Sequence, residues 1–123
     1  MAHDDPAELL PLPHLTYFVL LALAEGDAHG WVVIKRIRAM TAGQTNPSSG
    51  SLYLAMVRME ERGLITEAKA PAESDERRRY YRLTPFGRRV LAAESERLAE
   101  LVARAKRLDV IGSGASGRPL RRR

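Results

Sequence analysis

From residue 14 to residue 108 the apolar side chains recur at helical spacing in four stretches. Only between the third and fourth does the pattern change, into two short alternating segments. That order constrains the chain more than any other feature. A chain of 123 residues, 45% of them hydrophobic, has material for one compact core, and the order predicts a mostly α domain with a small β-hairpin.

Residues 1–13 hold Pro6, Pro11 and Pro13 behind an acidic start and read as an irregular lead-in, with an apolar anchor at residues 9–12. Residues 14–25, HLTYFVLLALAE, predict a helix buried on most sides and stopped by Gly26 and Asp27. In residues 29–40, HGWVVIKRIRAM, an inner face of Trp31, Val33, Ile34 and Ile37 opposes outward Lys35, Arg36 and Arg38. Turn chemistry at 41–47 precedes a third helix, SSGSLYLAMVRMEERG, capped by Ser48 or Asn46 and ended by Gly63. Its inner face carries Leu52, Met56 and Met59.

Residues 64–68 and 77–83 read as two strands joined by the polar turn PAESDE, a hairpin with a charged tip. Thr84 then caps, and Pro85 opens, a last helix of about 24 residues and roughly 36 Å. Residues 109–123 read as a flexible basic tail. Three helices, a hairpin and a long helix make a winged helix-turn-helix over 14–84 with an appended helix over 85–108.

The formal net charge is +5, but Arg118, Arg121, Arg122 and Arg123 account for four of those charges. Basicity alone therefore says little about partners. The chain has no cysteine, and His3, His14 and His29 are scattered, so no metal site is visible by spacing. No Ser–His–Asp arrangement or phosphate-binding glycine fingerprint is present, and neither an enzyme nor a cofactor is expected. The longest apolar run, residues 15–24, is about half of what a bilayer-spanning helix needs, so no membrane partner is expected. A cytoplasmic protein is the default expectation.

Ser48, Ser49, Gly50 and Ser51 make the first turn of the third helix small and polar. A helix entering a major groove needs such a turn, because its backbone N–H groups and dipole must approach phosphate. Tyr53 adds a hydroxyl on the next turn and Arg58 a charge further along. An ordinary capped amphipathic helix would look the same locally. Arg77, Arg78 and Arg79 suit contact with phosphate or an adjacent minor groove, although Asp75 and Glu76 could instead neutralise them. Of Tyr80 and Tyr81, one should pack inward and the other stay partly exposed.

On the last helix Leu91, Leu98 and Ala105 repeat every seven residues, Leu101 and Leu108 form a second line, Val102 broadens the stripe and Glu94 interrupts it. A small winged helix cannot cover such a stripe alone, which predicts a dimerisation element; intrachain packing of the first half is the alternative.

Gly50-Ser51-Leu52-Tyr53, followed by Met59-Glu60 and Gly63-Leu64-Ile65, resembles the signature of PadR-family transcriptional regulators. Two further stretches are similar to that family. One is Leu20-Leu21-Ala22-Leu23 with Ala28-His29-Gly30-Trp31; the other is Arg78-Arg79-Tyr80-Tyr81-Arg82-Leu83-Thr84 with Gly87. Trp31 stands where the family usually has Tyr, and Met59 where Leu is common. The resemblance implies a homodimer on palindromic duplex DNA, acting mostly as a repressor, with release by a small-molecule effector. The alternative is a winged-helix protein–protein interaction module, for which Leu54 speaks. A small enzyme or an RNA reader ranks last.

Overall fold

The computed structural model describes residues 5–73 and 78–111. After a short 3-10 turn at Pro6–Leu9 come α1 (His14–Ala24), β1 (Ala28–His29), α2 (Gly30–Met40), α3 (Ser49–Glu61), β2 (Ile65–Ala68), β3 (Tyr80–Leu83) and α4 (Pro85–Arg107). Residues 1–4 of the lead-in, Asp75 and Glu76 of the expected turn, Arg77 at the start of the expected second strand, and the tail from 112 lie outside the described residues.

Local chemistry sets the helix ends. Ser48 Oγ accepts from Ser51 N at 3.0 Å and caps α3. At its other end Gly63 takes φ +78°, which a side chain would resist. That turn lets Gly63 N–H donate to Glu60 O at 3.0 Å and Leu64 N–H to Met59 O at 2.9 Å, closing the helix. Thr84 Oγ1 accepts from Gly87 N at 2.9 Å at the start of α4. The same hydroxyl donates to Gly63 O, and Thr84 N–H donates to Leu64 O at 3.1 Å. The end of α3 and the start of α4 are thus tied together.

Val19, Leu20, Ala22 and Leu23 of α1, Val33, Ile34 and Ile37 of α2, and Leu52, Met56 and Met59 of α3 meet in one core. Leu64, Ile65, Leu83, Val90 and Leu91 close it from the sheet side and α4. Leu12 brings the lead-in into this core at 7% exposure, as its apolar anchor suggested.

The sheet has three antiparallel strands in the order β1-β3-β2. Ala28 and His29 lie opposite Tyr81 and Tyr80, while Ile65–Ala68 runs opposite Leu83 back to Tyr80. From the sequence, His29 falls at a helix start and two strands are expected. His29 does stand at the N-cap position of α2, without a side-chain capping bond, but it also pairs with β3. A two-residue strand is too short to show alternation, and only its partner strand reveals it. Leu64, Arg78 and Arg79 fall just outside the strands.

Four expectations need correction. Trp31 is 56% exposed rather than part of the inner face of α2. Gly30 lies on the buried line with Val33, Ile34 and Ile37, and one residue on, about 100° round the helix, the side chain has left it. Arg36 does not point outward; its Nη1 donates to Ala22 O at 2.9 Å and Gly26 O at 2.8 Å. It thereby closes the carbonyl end of α1, where a cation is favoured.

Leu91 is 8% exposed within its own chain, in the core with Val90, so it offers nothing to a partner. Glu94, read as an interruption of the stripe, is instead 2% exposed. Its Oε2 accepts from Leu12 N at 2.9 Å, and both its oxygens accept from Arg97, at 2.6 and 3.1 Å. A buried carboxylate persists because both of its oxygens have donors. Arg97, first of all, and then Leu12 N–H hold its pKa below the ordinary 4.5 against the opposing effect of burial.

Candidate nucleic-acid interface

α3 turns its inner residues into the core and leaves its leading turn outside: Ser48, Ser49, Gly50 and Ser51 are all exposed. Ser48 Oγ, besides capping, donates to Ser51 Oγ at 3.0 Å. With those two hydroxyls engaged in the cap, Ser49 and the outward N–H groups of Ser49 and Gly50 are what this turn presents to an anion. Tyr53, 60% exposed, stands one turn on, and Arg58 is exposed on the third turn.

The wing arrives beside this turn because β3 pairs with β1, which leads directly into α2. Arg78 donates from Nη1 to His29 Nε2 at 3.0 Å, and the His29 ring meets Tyr80 edge to face with centroids 5.1 Å apart. Burial and then the neighbouring Arg78 charge push the His29 pKa below 6.5, so the imidazole is held neutral and accepts. Arg79 is exposed. A hydrogen bond with the Tyr81 side chain, and then the Glu67 carboxylate on the neighbouring strand, favour its charged form. Tyr80 and Tyr81 are both half-buried, Tyr81 against the core; the expected division into one inner and one outer tyrosine is softened by the edge contact with His29.

Ser49, Tyr53, Arg78 and Arg79 therefore line one cleft of about 550 Å³, floored by Ile34, Leu52 and Met56 and flanked by Trp31. Sequence reasoning found the helix turn and the wing arginines separately. It missed Trp31 and the His29–Arg78 link, which joins wing to helix start; the departure of Trp31 from the buried line of α2 is the signal that could have found the first.

The chain matches the transcriptional regulator PadR-like family over residues 19–93. The chain belongs to the PadR-like family of transcriptional regulators. Its PadR match runs from the middle of α1 into the first half of α4, with the whole exposed turn and wing inside it. A transcriptional regulator from Clostridium thermocellum is 30% identical, with a TM-score of 0.64 over 80% of this chain and 91% of that one. A PadR family transcription regulator from Clostridium difficile is 23% identical, with a TM-score of 0.65 over 78% and 98%, and shows the same fold. An uncharacterized 37.1 kDa protein in transposon TN4556 of Streptomyces fradiae is 37% identical over 86 residues, 70% of this chain. The chain spans 23% of the length of that relative. The matched family is one of transcriptional regulators. Among the described residues no helix is long and apolar enough to cross a membrane.

Proposed function

We propose that this PadR-like regulator binds palindromic duplex DNA as a homodimer, with α3 in the major groove and the wing on the flanking backbone, and represses until a small-molecule effector releases it. The observation that carries the reading is the exposed leading turn of α3 beside Arg78 and Arg79. N–H groups at a helix start and two guanidinium groups converge there, as phosphate requires. Ser49, Gly50 and Tyr53 face the groove, while Ser48 and Ser51 set the turn. Arg58 and the Arg77–Arg79 cluster serve the backbone, Arg77 from outside the described residues. Leu98, Leu101, Val102, Ala105 and Leu108 supply the dimer contact, and two copies would place the α3 helices roughly 34 Å apart on successive grooves.

Tyr53→Ala tests the placement. Its side chain stands in solvent, so the variant should melt like the wild type yet bind operator DNA about tenfold or more weakly. Wild-type affinity in that variant removes α3 from the groove. A second reading, a protein-docking module, draws on Leu54 and Trp31, which are 57% and 56% exposed. Under that reading neither Tyr53→Ala nor added salt would alter DNA binding specifically.

A further inference from the structure

We propose that Leu54 reads a base at the middle of α3, selecting a T·A pair in each operator half-site through the thymine methyl. This role rests on the DNA reading above and supplies what that reading leaves open, the base that the outward centre of α3 recognises.

Successive residues of an α-helix stand about 100° apart. Leu54 therefore lies about 160° round α3 from both Leu52 and Met56, which are buried in the core. It points away from the domain and is more than half exposed. Ser49 and Tyr53 line the cleft on the wing flank of α3, and Ser51 lines a groove on the other flank, beside the α2–α3 turn. Leu54 lines neither. One turn earlier on the same line is Gly50, with open space where a Cβ would stand. One turn later is the exposed Arg58. Leu54 is thus the first side chain on the outward line of the helix, between a gap and a cation.

A leucine offers neither donor nor acceptor. Base edges in the major groove present amino donors, nitrogen and oxygen acceptors, and a single methyl group, that of thymine. Seated on a cytosine amine or a guanine carbonyl, Leu54 would strip water from a polar atom and return no hydrogen bond. Seated on thymine, it buries one methyl against its own. A protein partner suits the position less well. Docking surfaces are contiguous apolar patches, whereas the exposed neighbours of Leu54 at helical spacing are Gly50, Ser51, Arg58 and Glu61.

The test starts from duplexes that the full chain selects from a random-sequence library. Each thymine of the selected half-site is replaced in turn by deoxyuridine, which removes the methyl and leaves the pairing intact. At one position the loss of a buried methyl should weaken binding about fourfold, and about fifteenfold when both half-sites are changed. Leu54→Ala puts a good helix former at an exposed position and should melt like the wild type. That variant should bind the thymine and deoxyuridine duplexes equally at the same position, which isolates the contact as a double-mutant cycle does. A selected half-site without thymine, no loss with deoxyuridine at any position, or a loss that persists in full in Leu54→Ala would overturn the role of Leu54. Should any of these accompany a sequence-selective wild type that Tyr53→Ala weakens, α3 stays in the groove and only Leu54 loses its role. A wild type that selects no sequence removes the DNA reading and the role of Leu54 together.

Discussion

Gly87 shows how little room one residue can have. A Cβ built there would lie 1.9 Å from Leu64 O, a backbone atom that α4 cannot push aside. Gly87→Ala should therefore cost about 3 kcal/mol or more in chemical denaturation, and a loss below 1 kcal/mol would mean that α4 shifts freely on the α3–β2 turn. Glu94 is a second case, with a pH signature. Its folded pKa lies below 4.5, so the unfolded chain binds the proton more readily. The stabilisation is fully present above pH 4.5 and is lost as pH falls through the folded value. Glu94→Gln should cost about 1–3 kcal/mol at pH 7, and the gap to wild type should narrow as pH drops below 4.5. A gap that stays constant down to pH 3 would show that the carboxylate charge contributes nothing.

At the scale of elements, the wing and α3 act together because His29 begins α2 and pairs with β3 at once. That double duty holds the arginines at the base of the wing next to the exposed turn of α3. Each guanidinium that meets a phosphate releases counterions, and removal shows as a shallower salt dependence. Arg78→Ala with Arg79→Ala should reduce the slope of log K against log salt by about one to two, near 0.9 per contact. An unaltered slope would take the wing off the backbone. α4 divides along its length. Its first half is used up against α1, the lead-in and β3 through Val90, Leu91, Glu94 and the Tyr17 Oη–Ser95 Oγ hydrogen bond of 2.8 Å. Its second half is not.

For the whole molecule the open question is what covers that second half. Leu101, Val102 and Leu108 are 51%, 48% and 64% exposed, with Leu98 and Ala105 half-buried beside them. A second copy is the proposed cover. Leu101→Asp with Val102→Asp should leave the helix and the winged domain folded but yield monomers in sedimentation. Losing two large apolar contacts at ~1.5–3 kcal/mol each weakens association by roughly two to four orders of magnitude. A wild-type chain that sediments as a monomer at working concentration would sink the palindrome reading with it.

Much of this was legible in one dimension. The four helices, their caps at Ser48 and Thr84, the stop at Gly63 and the β2–β3 hairpin follow from spacing and turn chemistry, because each depends on residues a few positions apart. The polar first turn of α3 and the apolar repeat on α4 were visible for the same reason. Tertiary structure alone decided that β1 exists, that Arg36 turns back onto α1, and that Leu91 and Glu94 face the core while Leu101 faces out. Periodicity records which residues share a face of one element. Whether that face is covered, and by what, depends on a neighbour that is distant in sequence, and only folding brings the two together.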